Sequence, residues 1–274
     1  MTAIPSESKH ILAERTIVIV GQDPSVLERL RQLELSGANL ISLPPVDVAE
    51  LKNSERLDEA IAHLYGYDWI LFTNPDSVHY FLRRLESNGL DTSALDDLRV
   101  CAVGNDTEQL LRDEHVHADV VSTSQEAATI FAALEQFLGG AAALPRLNFL
   151  SPRATSSPDS LARALTEAGA RVDLVPTYRI RTAAADTGRT TALVSGGADC
   201  LVLTGPESLS QLTRLFDAYD LRETLPGVLV VCFEEAVARS AAECGLLVRP
   251  LPAQAATEQL AQEIANHLLA ESQR

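Results

Sequence analysis

Two stretches of this chain place the same hydroxyls, proline and acid at the same spacing: ILFTNPDSVHYFLRRL, residues 70–85, and LVLTGPESLSQLTRLF, residues 201–216. Aligned without gaps, Thr73 meets Thr204, Pro75 meets Pro206, Asp76 meets Glu207, Ser77 meets Ser208 and Arg83 meets Arg214. Each copy reads as an apolar strand that turns into an amphipathic helix. Proline suits the first helical turn, because its missing N–H has no intrahelical partner there. Asp76 and Glu207 face the positive end of the helix dipole. Thr73 or Asn74 in one copy, and Thr204 in the other, is placed to cap the helix. An efficient folding turn needs no more than this. Chemistry enters with position. Free N–H groups at a helix start attract anions, and in open parallel sheets ligands gather beyond the carboxyl ends of the strands. Comparable groups stand at other strand ends: Gly104, Asn105 and Thr107 in AVGNDT, and Ser151 and Arg153 in LSPRA. Two domains presenting such ends to each other would line a cleft with backbone donors and hydroxyls.

Other chemistries find no support. TIVIVGQDPS has one glycine, so no GxGxxG dinucleotide fingerprint follows the first strand, and neither GxxxxGK[ST] nor GxSxG occurs. The formal charge of −16 argues against a nucleic-acid surface and against docking on anionic lipid. A polyanionic ligand would have to be held by local dipoles, hydroxyls and a few arginines. His115 and His117 lack further ligands for a metal. The four cysteines, Cys101, Cys200, Cys232 and Cys244, form no CxxC pair and read as buried, reduced thiols of a cytoplasmic protein. Glu234 and Glu235 read as a helix-start pair, with a place on a cleft wall as the alternative. No apolar run approaches a membrane span, and MTAIPSESKH lacks a signal-type apolar core, so residues 1–14 are expected to be a tail.

The elements that must position these residues alternate regularly. TIVIV (16–20) precedes a helix on which Val26, Leu27, Leu30 and Leu33 recur at helical spacing. ANLISL, DWILFT, RVCAVG, ADVVS, RLNFLS, VDLVPTY, ADCLVLT, GVLVVCF and LLVRPL follow as strands, with helices between them. This is an α/β pattern with parallel sheets covered on both faces. The repeat runs at a near-constant offset of about 130 residues, a domain-sized duplication. Both halves contain a proline-bearing extended segment, LISLPPVDV (40–48) and VDLVPTYRI (172–180). If both are crossovers, one domain is 15–43 plus 181–274, the other is 48–172, and 44–47 and 173–180 are linker strands. A sequential split at about residue 140 is the alternative.

DWILFTNPDSVHYFLRRL, VCAVGNDTEQLL, LSPRATSSPDSLARALTEAGARVDLVPTYRI and ADCLVLTGPESLSQLTRLF, in this order, resemble the uroporphyrinogen-III synthase family over nearly the whole chain. The resemblance implies two similar α/β domains joined by a two-stranded linker. It also implies a cofactor-free, monomeric, cytoplasmic lyase of tetrapyrrole synthesis. Its substrate would be hydroxymethylbilane, a linear tetrapyrrole with eight carboxylates, and hydroxymethylbilane synthase would be a transient partner. The family's tyrosine, assigned to help the substrate hydroxyl leave, falls on Tyr178. The family's threonine after Ala-Val-Gly falls on Thr107, and its strand-end arginine on Arg153. Thr73, Asn74, Ser77, Gly104, Asn105, Ser151, Thr204, Gly205 and Ser208 complete the expected substrate-binding set. Asn74 and Gly205 stand where the family often has serine, and Arg153 is followed by Ala-Thr rather than the frequent Gly and acid. Phe233, Glu234 and Glu235 replace a Gly-x-x-Thr-Ala turn. A non-catalytic tetrapyrrole-binding or regulatory relative is the alternative from the same scaffold, and a two-domain small-molecule receptor is the alternative from another.

Overall fold

The computed structural model describes residues 11–21, 23–51, 53–124, 126–155, 160–182, 190, 193, 196–217, 221–222, 224–251 and 257–271. The chain forms two compact units. The first is Met1–Val46, Thr182–Thr213 and Leu221–Arg274; the second is Asp47–Arg181 with Arg214–Asp220.

In the first unit the strands are β1 (Thr16–Val20), β2 (Asn39–Ser42), β9 (Cys200–Leu203), β10 (Leu229–Cys232) and β11 (Leu247–Pro250). They lie in the order β11-β10-β9-β1-β2, with every pairing parallel. Ile17 to Val20 are all buried, as expected of a central parallel strand covered on both faces. Its described helices include α1 (Pro24–Arg31), most of α7 (Pro206–Phe216), α8 (Glu235–Glu243) and α9 (Thr257–Glu271). Leu30 and Leu33 reach the core with Ile17, Ile19, Ile264 and Leu268, so the helical spacing read after TIVIV marks a real apolar face. Leu12 belongs to the same cluster and is fully buried. Part of the expected tail is therefore packed, because that leucine gains more from the core than from water; residues 1–10 lie outside the described residues.

The second unit holds β3 (Val46–Glu50), β4 (Trp69–Phe72), β5 (Arg99–Val103), β6 (Val120–Ser122), β7 (Asn148–Ala154) and β8 (Arg171–Thr182), in the order β3-β8-β7-β4-β5-β6. Its helices are α2 (Glu55–Ala62), α3 (Pro75–Ser87), α4 (Asn105–Asp113), α5 (Ala127–Leu138) and α6 (Ser160–Glu167). Successive residues of β4 point to opposite faces, and both faces are buried. Ile70 and Phe72 pack with Val78, Phe81 and Leu111. Trp69 and Leu71 pack with Ile130, Leu134 and Phe149.

The duplication is visible in the pairing. In one unit β1 lies beside β9, and in the other β7 lies beside β4; β1 and β7 are equivalent by the repeat, as are β9 and β4. Each sheet therefore joins the opening strand of one half to the later strands of the other. The aspartate before the later strand does the same work twice. Asp199 accepts from the N–H of Thr16 at 2.8 Å, and Asp68 accepts from the N–H of Asn148 at 2.8 Å. A carboxylate there satisfies a backbone donor at a strand start that the ladder leaves open.

Two segments differ from the expected layout. Residues 173–180, expected as a linker strand, are the middle of β8, which lies between β7 and β3 in the second unit's sheet. Pro176 has no N–H to give, yet its carbonyl accepts from the Ser54 hydroxyl at 3.1 Å. Arg214–Asp220, expected with residues 181–274, groups with the second unit, because Asp217 makes its hydrogen bonds there.

Candidate active site

The two copies of the repeated turn use the same serine differently. In the second unit Asn74 caps α3: its Oδ1 accepts from the N–H of Ser77 at 2.7 Å. The Ser77 hydroxyl donates to the Asn74 carbonyl at 2.6 Å and receives the Asn74 N–H at 3.4 Å. This is a reciprocal capping box with Pro75 in the first turn. In the first unit the Ser208 hydroxyl donates to the Val20 carbonyl at 2.7 Å and accepts from the N–H groups of Thr204 and Gly205 at 3.1 and 3.2 Å. One donor and two lone pairs are then all engaged. Ser77 and Ser208 are buried, and their hydroxyls build the turns. Thr73, Thr204 and Gly205 are half-buried.

Gly21, at the end of β1, makes the second arrangement possible. Its φ is +113°, and a Cβ there would lie 2.0 Å from Thr204 Oγ1 and 2.6 Å from Ser208 Oγ. In the sequence this lone glycine after a strand is too few for a dinucleotide motif and gives no sharper signal.

Gly104, at the end of β5, starts α4 with φ +89° and without a side-chain cap. Asn105 is exposed at the helix start. Thr107, in the first turn, is fully buried, and its Oγ1 has no hydrogen-bond partner. A buried hydroxyl without a partner is uncommon and calls for a reason. On β7, Ser151 is buried and Arg153 half-buried.

Tyr178, on β8, is 1% exposed. Its ring stacks on Tyr80 at 5.4 Å between centroids. Its hydroxyl meets the Asp217 carboxylate and lies 3.0 Å from Asn74 Oδ1. Burial drives the phenol's pKa well above its ordinary value, and the Asp217 charge and hydrogen bond push it further in the same direction. The proton of Tyr178 is thus held within the protein, which a purely solvent-facing phenol would not show. The structure brings Asn74 and Tyr178 together. Asp217, which joins them, has no counterpart among the residues singled out from sequence; an acid after an amphipathic helix reads as an ordinary solvated end.

Phe233 is half-buried at the end of β10, packed against the first unit's core with the Arg29 guanidinium 5.7 Å from its ring centroid. Glu234 and Glu235 are exposed at the start of α8, where Glu234 makes no side-chain cap. All four cysteines are buried. Among the described residues no cluster of His, Cys, Asp and Glu could hold a metal ion, and no helix is long and apolar enough to cross a membrane.

Known proteins point to the same family as the sequence motifs. The family model described as Uroporphyrinogen-III synthase HemD matches residues 28–262. A porphyrin biosynthesis protein HemD from Ruminiclostridium josui is 30% identical over 95 residues, covering 35% of this chain but only 18% of that relative's length. A uroporphyrinogen-III synthase from Chlorobaculum parvum is 23% identical over 241 residues, covering 87% of this chain and 93% of the relative. The solved uroporphyrinogen III synthase of Thermus thermophilus superimposes with a TM-score of 0.50 at 17% identity, over 93% of this chain and 99% of that one, a likeness of fold.

Proposed function

We propose that this chain, which belongs to the uroporphyrinogen-III synthase family, converts hydroxymethylbilane to uroporphyrinogen III. The terminal hydroxyl leaves as water and generates an electrophilic azafulvene. The substituted carbon of ring D attacks it, forming a spiro intermediate. Fragmentation and reclosure invert ring D and close the macrocycle. Tyr178 assists departure of the hydroxyl, a task in which a hydrogen bond that strengthens in the transition state counts for more than ground-state acidity.

The observation that carries this reading is Thr107. A hydroxyl that is fully buried and unpartnered in the first turn of an uncapped helix has a donor to offer and, among the described residues, no acceptor to take it. A ligand rich in carboxylates supplies the acceptor, and the helix start favours negative charge. Asn105 and Gly104 present the same turn; Thr73, Thr204, Gly205, Ser151 and Arg153 offer further polar groups at strand ends. Asn74, Ser77 and Ser208 serve binding by holding the turns in shape.

Exposed Glu234 and Glu235, opposite in charge to what an octa-carboxylate prefers, favour a second reading: a tetrapyrrole-binding relative that does not catalyse. One assay separates the two. The protein is incubated with freshly generated hydroxymethylbilane, and the oxidised uroporphyrin isomers are resolved. Isomer III as the main product is expected. Isomer I alone, at the rate seen without protein, refutes the synthase reading and leaves the second.

A further inference from the structure

Three neighbouring strands of the second unit, or the turn that follows one of them, reach one carboxylate. Tyr178 on β8 donates its phenol proton to Asp217. The N–H of Ala154, the last residue of β7, donates to Asp217 Oδ2 at 2.8 Å. The side-chain amide of Asn74, in the turn after β4, donates to Asp217 Oδ1 at 2.9 Å. β8, β7 and β4 are adjacent in the sheet. The Ala154 N–H is directed to Asp217 where the β7–β8 register shifts between Arg153 and Ala154.

The backbone of Asp217 adds to the case. It follows α7 with φ +48°, in the left-handed region where glycine closes helices most cheaply. The side chain at this position is 7% exposed, and a carboxylate withdrawn from water must be hydrogen-bonded to be tolerated. A strained, buried aspartate in place of glycine is explained by what its carboxylate gathers. The same segment is tied a second time: Arg214 Nε donates to Asp76 Oδ2 at 3.1 Å. The hold passes onward through Asn74, whose Oδ1 caps the N–H of Ser77.

We propose that Asp217 is a positioning residue of the synthase reaction, which fixes the Tyr178 phenol and the Asn74 turn for the substrate without touching the substrate itself. This rests on the synthase reading above. Asp217 holds the phenolic oxygen in place, with the O–H resting on the carboxylate until it turns to the departing hydroxyl, and a misplacement of the order of 1 Å is costly in a reacting group.

The test compares wild type, Asp217→Asn, Tyr178→Phe and the double variant, measuring kcat, KM and the isomers formed from hydroxymethylbilane. Asp217→Asn keeps size and removes the anion; its kcat is expected to fall roughly 100-fold with KM nearly unchanged. Added to Tyr178→Phe, it should cost little more, because both changes act through one phenol. Asp217→Glu, which restores a displaced carboxylate, should recover part of kcat. Additive losses, a change confined to KM, a wild-type rate in Asp217→Asn, or full activity in Tyr178→Phe would each overturn the proposal. If Asp217→Asn does not fold, Asp217→Glu takes its place in the same cycle, with the same non-additive loss expected and additivity overturning it. Wild type yielding only isomer I sinks the synthase reading itself; wild type yielding isomer III with additive variants sinks only the role of Asp217.

Discussion

Replacing Thr107 by valine should make the protein more stable and a poorer catalyst. Its Oγ1 is fully buried and unpartnered, so folding strips the hydroxyl of water and returns nothing, a penalty of about 1–3 kcal/mol. Valine puts a methyl where the hydroxyl was, removing the penalty but crowding the site slightly. The net gain is expected near 1 kcal/mol, a rise in melting temperature of about 3 °C for a domain of this size. In catalysis the sign reverses. If the hydroxyl donates to a substrate carboxylate, its loss removes a charge-assisted hydrogen bond of about 1.5–3 kcal/mol, roughly 10- to 100-fold in kcat/KM. Thermal unfolding and the isomer-III assay read the two effects on one preparation. A valine variant less stable than wild type would show that the hydroxyl has a folding partner after all. A more stable variant with unchanged kcat/KM would remove Thr107 from the substrate site.

Gly21→Ala should destabilise the protein by about 3 kcal/mol or more, from a forbidden φ together with disruption of the Ser208 hydrogen bonds; an unfolding free energy from urea denaturation lowered by less than about 1 kcal/mol would contradict the close approach to Thr204 and Ser208. The hydrogen bond from Arg84 holds the Asp58 carboxyl below its usual pKa, against a smaller opposing effect of burial. Its stabilisation is therefore present at neutral pH and lost as pH falls through the folded pKa. Asp58→Asn should lower the urea midpoint at about pH 7, and its effect should shrink as the pH falls below the ordinary carboxylate range; an effect that does not change with pH would exclude the charge as its cause. Burial pushes the thiols of Cys101 and Cys232 up to about 12 and that of Cys200 higher still. A thiol reagent at about pH 8 should leave these three unmodified until denaturant is added; rapid reaction of the native protein would mean that the strands carrying them open readily.

Local pattern carried much of this protein. The apolar runs around Ile17, Ile70, Leu201 and Val230 are strands because continuous β-branched and aliphatic stretches suit a sheet buried on both faces. The repeated Thr–x–Pro–acid–Ser turn starts helices because its bonds, as at Asn74 and Ser77, close within four residues. Such features depend on neighbours in the chain and are readable from it. The duplication was readable too, and with it the family, since order and spacing survive where single motifs are weak. What only the tertiary structure decided lies in contacts between distant residues. Ser208 looks like Ser77, yet its hydroxyl turns to Val20, 188 residues away, because Gly21 leaves room there. Leu12 sits in what composition marks as a tail, and the core claims it. Tyr178 stood out by resemblance, but its burial and its bond to Asp217, 39 residues on, follow from the sheet order and from a segment that returns to the second unit. No periodicity encodes a carboxylate shared by groups on three neighbouring strands and their turns: each strand fixes only its own direction and faces, and the fold alone brings Asn74, Ala154, Tyr178 and Asp217 within hydrogen-bonding reach.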